Sequence, residues 1–303
     1  MSGSSATGAA WGLFAISIWA GWMVLTRHDL LRSGLTVPDI TAIRFGTAAA
    51  LLLPVALRDG FVARKVGIAG TALMVAGAGA PYALIASVGL LFAPAAHAGA
   101  LIPGVMPLFA AVLSMLVLGE RIGRERRVGL SLIPFGVLLI AGLHVFAPTD
   151  RRWVGDLLFL SASLFWAGYT VTLRRSGLRP LHGAAIVAVW SAAAFLPVYV
   201  FTPVPKGIWR AGWDAILVQA VFQGLLTSVV SLIAFNRAVA ILGASRGAVF
   251  ASLVPALATL LAIPVLGEWP SAAELAGVGV VSMGVLLASG AAHAYRTRAM
   301  SPS

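Results

Sequence analysis

Two pairs of aromatic residues stand three positions apart, Trp19 with Trp22 and Trp166 with Tyr169. On a helix, residues so spaced lie on neighbouring faces, and aromatic faces suit a stacked ring or an ammonium group. The alternative is packing, with Trp19 and Trp166 as scaffold. Tyr82, next to Pro81, offers a hydroxyl to a substrate or to a neighbouring carbonyl. His97 is placed to bind substrate or carry a proton, its unperturbed pKa being about 6.5; otherwise it sits at headgroup level. Arg44 offers a planar fork to a carboxylate, or else its long stem lets it reach back to an interface. Gln223 and Asn236 are pocket amides or links between helices. Pro107 and Pro255, like Pro81, each free a carbonyl four residues earlier and so kink a helix or let it flex. No catalytic or metal constellation accompanies these residues. The histidines at 28, 97, 144, 182 and 293 are scattered, and cysteine is absent. A membrane-embedded enzyme is therefore the remote alternative, and no metal or cofactor is expected.

The elements that must hold these groups are membrane helices. The chain has 303 residues, is 60% hydrophobic and 10% charged, and has a mean hydropathy of +0.96. Soluble domains carry about 25% charge. The net charge of +11 lies between hydrophobic stretches, so it bears on membrane orientation rather than nucleic acid. A span takes about 20 apolar residues, and ten are expected: 8–26, 38–57, 66–90, 95–118, 127–146, 154–173, 182–201, 214–236, 243–266 and 273–295. With the N-terminus inside, inner segments hold 14 Lys and Arg against six in outer loops, which places both termini in the cytoplasm. Arg27 and Arg32 after the first span argue locally the other way. All ten acidic residues fall at expected span ends or in loops. That leaves no mid-membrane carboxylate for proton coupling and points to uniport or exchange, unless His97 is the coupling group. Glu120 and Glu268 are expected to pair with a loop Arg or cap backbone.

Residues 91–142 return at 239–290, offset by 148, with 16 of 52 positions identical. Val117-Leu118-Gly119-Glu120 recurs as Val265-Leu266-Gly267-Glu268, Pro107 as Pro255, and Gly136-Val137-Leu138-Leu139 as Gly284-Val285-Leu286-Leu287. Trp19-Ala20-Gly21 matches Trp166-Ala167-Gly168 at an offset of 147. Duplicated hydrophobic halves mark secondary transporters. Halves at 1–148 and 149–303, of five spans each, enter the membrane from opposite sides and are inverted.

Five-span halves, a Trp-Ala-Gly element in the first span and a Leu-Gly-Glu exit after the fourth resemble the drug/metabolite transporter superfamily. The resemblance is to its EamA-type branch, over about Ala10 to Ala292, and most to the bacterial aromatic amino-acid exporters there. It implies an all-α, basket-like bundle with spans 1, 3, 4, 6, 8 and 9 around a central cavity. Spans 5 and 10 are then peripheral, in a monomer or homodimer in the bacterial inner membrane. The implied activity is export of small metabolites, amino acids foremost. Drug or quaternary-ammonium export is the runner-up.

Overall fold

The structure, a computed structural model, describes residues 3–142 and 150–289. His144, His293 and the expected boundary at 148 lie outside them. Every regular element among the described residues is helical. They are α1 (Gly3–Arg32), α2 (Val37–Asp59), α3 (Gly67–Ala78), α4 (Ala80–Phe92), α5 (Ala95–Leu118), α6 (Arg124–Ala141), α7 (Arg152–Ser176), α8 (Pro180–Phe201) and α9 (Trp213–Gln219). A π-helix, Ala220–Val230, follows, then α10 (Ser231–Leu242), α11 (Ala244–Ser252), α12 (Val254–Leu266) and α13 (Ala272–Ala288). Seven helical stretches among them are long and apolar enough to cross a bilayer: α1, α2, α3–α4, α5, α7, α8 and α9–α10. α12 and α13 are shorter and apolar. The chain is a multi-pass membrane protein.

Composition explains most boundaries; side-chain partners explain the rest. α1 runs past the expected stop at residue 26 because Arg27 and Asp29 find partners inside the protein. α5 and α12 each end on a glycine in the left-handed region, Gly119 at φ 66° and Gly267 at φ 72°. The next N–H reaches back six residues, Glu120 to Ser114 and Glu268 to Ala262. The repeated Leu-Gly-Glu is thus a helix stop whose geometry favours glycine.

Two helical stretches are broken, and neither break lies on a proline. α3 gives way to α4 at Gly79, and Pro81 sits in the first turn beyond it. The freed N–H of Ala80 is taken by Ser191 Oγ on α8 at 3.1 Å, as backbone inside a membrane requires. α11 gives way to α12 at Leu253, with Pro255 again in the new first turn. Pro107, its counterpart in the repeat, lies inside the continuous α5. The expected pair of equivalent kinks is therefore corrected: one proline bounds a break and the other does not. In the first turn a missing N–H costs nothing.

α6 and α13 cross through glycines. A Cβ on Gly136 would sit 2.8 Å from the Gly277 carbonyl, and one on Gly277 2.8 Å from that of Gly136. Gly129 and Gly284 approach in the same way, at 2.7 and 2.9 Å. Only small residues let backbones come this close. The pairing runs antiparallel, and Gly129 and Gly136 are offset by 148 from Gly277 and Gly284.

This crossing gives a test. Gly277→Ala forces a methyl onto Gly136 O and Ile140 N, an overpacking that costs about 1–3 kcal/mol. Gly279→Ala meets nothing within 4 Å and is expected to be neutral. Thermal unfolding in detergent should lower Tm for the first variant alone.

Candidate functional site

The middle of the bundle holds a line of stacked groups from four helices. Trp22 on α1 lies against Tyr82 on α4, with centroids 6.2 Å apart and planes 23° from parallel. Tyr82 in turn meets Trp166 on α7 at 5.8 Å. Arg44 on α2 caps the line: its Cζ is 5.4 Å from the Trp22 ring and 5.4 Å from that of Phe45. Trp22 and Tyr82 are buried, whereas Arg44 is partly exposed.

Gln223, buried on the π-helix, joins this group. Its amide donates to Thr26 Oγ1 at 2.8 Å, and its oxygen lies 3.5 Å from an Arg44 terminal nitrogen. Thr26 is spent on the Trp22 carbonyl at 2.6 Å. Wide helical turns of this type are frequent at functional sites. No carboxylate among the described residues pairs with Arg44. Two donors are shielded and unused, Arg44 Nε and Trp22 Nε1. Shielded donors normally find partners, and these two have none in this arrangement. Arg44 turns inward; it does not reach back to an interface.

Other expected residues are placed elsewhere. Trp19 donates to Ser231 Oγ at 3.0 Å and packs on Phe235 with centroids 4.9 Å apart. Tyr169 packs on Gly77, and its hydroxyl faces Gly183 of α8. The spatial pair around Tyr82 is thus Trp22 with Trp166, not Trp22 with Tyr169. Asn236 is exposed and donates to the Leu232 carbonyl of its own helix at 2.7 Å.

His97 stands at one end of the bundle, where α1 finishes, and is 1% exposed. Its surroundings are therefore protein on every side. Its Nδ1 is 2.7 Å from Asp156 on α7, and its Nε2 is 2.9 Å from Glu274 on α13. Beside it lies a cleft of about 250 Å³ lined by Arg27, Arg152, Glu268 and Trp269 among others. Arg27 bonds Glu268 and the carbonyls of Leu90 and Ala93, the latter at 2.8 Å, while Glu268 accepts from Ala95 N at 2.9 Å. The acidic residues do sit near helix ends, as expected, yet Asp29, Asp39, Asp156 and Glu274 are all buried. Burial in protein near a helix end is thus what sets these four apart, and it is not a mid-membrane position along the helices. Glu274 had one legible role, since Ser271-x-x-Glu274 is a capping box at the start of α13. Asp156 carried no signal.

At the opposite end Glu120 pairs with Arg174 at 2.7 Å. Glu268 and Arg27 are the repeat-equivalent residues, offset by 148 and 147. Each Glu thus pairs with an Arg of a helix end, close to expectation. A larger cleft, about 660 Å³, lies between α3, α5 and α7, with Leu73, Leu113 and Phe165 on its walls and Lys65 and Arg175 on its basic side.

Comparison with known proteins follows this geometry. The EamA-like transporter family matches residues 6–142 and, a second time, 153–290. A transporter of Bacillus subtilis (strain 168), YyaM, is 29% identical over 203 residues, 63% of this chain and 64% of that relative. The chain thus spans just under two thirds of that relative's length. A protein of Streptantibioticus cattleyicolor named as a "Probable terminal-alkyne amino-acid exporter" is 27% identical over 229 residues, 73% of each chain. A solved crystal structure aligns at a TM-score of 0.58 and 20% identity, covering 98% of this chain and 99% of that one. At that identity the likeness shows the fold.

The Trp19–Ser231 bond supplies a measurable prediction. A hydrogen bond of this kind contributes about 1 kcal/mol. Trp19→Phe and Ser231→Ala should each lower Tm, and a double-mutant cycle should return a coupling of about 0.5–1.5 kcal/mol between them.

Proposed function

The chain belongs to the EamA-like transporter family, within the drug/metabolite transporter superfamily, and from that premise we propose that it exports small metabolites bearing a carboxylate. Amino acids fit best, aromatic ones foremost. One observation carries this reading: Arg44, stacked on Trp22 in the bundle's middle, has no carboxylate partner among the described residues and leaves Nε unused. Charge inside a membrane protein is expensive and tends to be functional. A substrate carboxylate supplies the missing counter-charge through two-pronged hydrogen bonds. Trp22, Tyr82 and Trp166 offer ring faces to the remainder of the substrate. The name of the Streptantibioticus cattleyicolor relative supports amino acids as the class and export as the direction.

The route is alternating access between two inverted five-span halves, 1–148 and 149–303. Ten spans are counted by taking α3–α4, α9–α10 and α11–α12 as single crossings and adding α6 and α13. Three features support inversion. Gly129 and Gly136 meet Gly284 and Gly277 head to tail, as two copies related by a two-fold axis in the membrane plane would. The pairs Arg27–Glu268 and Arg174–Glu120 are equivalent under the repeat and sit at opposite ends of the bundle. The first helices of the two halves, α1 and α7, also exchange environments, α1 packing on α10 and α12 while α7 packs on α3, α4 and α5. The excess of Lys and Arg on one side supports cytoplasmic termini in the bacterial inner membrane. The 660 Å³ cleft lies between the halves at the basic end and serves as the way in from the cytoplasm.

The second reading is export of amphipathic cations, favoured by the aromatic line alone. Arg44 within that line repels them.

Counterflow in proteoliposomes decides between the two. Labelled phenylalanine, tyrosine, tryptophan and leucine should exchange saturably. Hydrogen bonds to a charged group contribute about 1.5–3 kcal/mol, and about 1.4 kcal/mol is tenfold. Arg44→Met should therefore raise KM about tenfold to a hundredfold. Absence of saturable counterflow for every amino acid overturns the proposal; flux of a quaternary ammonium compound untouched by Arg44→Met establishes the second reading.

A further inference from the structure

His97, Asp156 and Glu274 play no part in the carboxylate site, yet they form a cluster drawn from α5, α7 and α13 with side chains 1%, 8% and 9% exposed. An ionised carboxylate only accepts hydrogen bonds, and a neutral imidazole has a single N–H. A neutral ring between two carboxylates would set lone pair against lone pair at one contact. Both contacts, at 2.7 and 2.9 Å, hold together only when the three groups share one proton more than a neutral ring and two carboxylates carry. We infer that this cluster is a proton-binding site, and that the bound proton ties α5, α7 and α13 together at the end of the bundle where α1 finishes.

The charged groups around it favour that assignment. Arg152 lies 3.6 Å from Glu274 and 3.5 Å from Asp150, and Arg27 and Glu268 line the same cleft and bond each other. Removing the proton leaves Asp156 and Glu274 facing one uncharged ring, with Arg152 the nearest cation to Glu274. Asp156 Oδ2 is buried without a hydrogen-bond partner, so the ring N–H is the contact on which that carboxylate depends.

The site belongs to one face only. The positions equivalent to His97, Glu274 and Asp156 hold Ser245, Arg126 and Ala9, none of which reproduces the chemistry. The two ends share the Arg–Glu pair, and only one adds a proton. Protonation therefore strengthens closure of the end where α1 finishes, and rising pH weakens it there without acting at the other. That this end is a face that opens in turn rests on the alternating-access reading. The bound proton does not, and its test needs no substrate.

Two measurements on the full chain in nanodiscs test the site. Nitrogen NMR of ¹⁵N-histidine protein, with His97 identified by His97→Gln, should show both ring nitrogens protonated at pH 7. An amide at 156 can donate to Nδ1, so a neutral ring then satisfies both contacts. Asp156→Asn should thus lose the doubly protonated signal or shift it to lower pH. A singly protonated ring in the wild type, or no change in Asp156→Asn, overturns the proton site. The protein has no cysteine, so spin labels at Leu91→Cys and Trp269→Cys, which flank Arg27, report closure directly. Their separation should grow between pH 6 and pH 9 in the wild type and stay constant in Asp156→Asn. A wild-type separation that ignores pH overturns the tie, even if the proton is found. Equal widening in both proteins assigns the pH response elsewhere and overturns it too.

Discussion

Hydrocarbon supplies no partner for a peptide group or a charge, so this bundle answers its main irregularities from within. The broken span at Gly79 hands the Ala80 N–H to Ser191 of another helix. Arg27, at the end of α1, is met by Glu268 and by two carbonyls from the joint between α4 and α5. Asp39, fully buried at the start of α2, accepts from Tyr199 and from the Gly207 N–H. Arg44 Nε, Trp22 Nε1 and Asp156 Oδ2 are among the shielded atoms for which no such answer is found.

Internal symmetry organises these answers. The glycine crossing of α6 and α13 and the two Arg–Glu pairs repeat one pattern in both halves. The same Arg–Glu pairing thus stands at both ends of the bundle. Departures from symmetry then carry the individual character. Pro107 is absorbed in a continuous helix while Pro255 starts a new one, and His97 has a serine as its counterpart.

Two chemistries coexist at different depths. In the middle, a guanidinium and three aromatic rings are stacked in a line. At one end, an imidazole and two carboxylates form a compact, hydrogen-bonded knot. The first holds a guanidinium with no carboxylate partner among the described residues, and the second pairs its imidazole with two.

Much of this was legible in the chain itself. Composition dictated a membrane protein, because long apolar stretches satisfy their own backbone in lipid as helices. Self-similarity at an offset of 148 revealed the duplication, and Leu-Gly-Glu marked the helix stops, since a left-handed glycine ends a helix by local geometry alone. Trp22, Tyr82, Trp166, Arg44 and Gln223 were among the candidates; Trp19, Tyr169 and Asn236 were indistinguishable from them, because helical spacing gives a face but not the neighbour on it. Asp156 could not be found at all, and His97 was half read. Their meaning lies in three side chains from positions 59 and 177 residues from one another along the chain. Helices, stops and repeats are short-range or copied properties that sequence carries openly; which donor meets which acceptor is decided only when distant helices pack, and that packing alone made a proton site of an ordinary histidine.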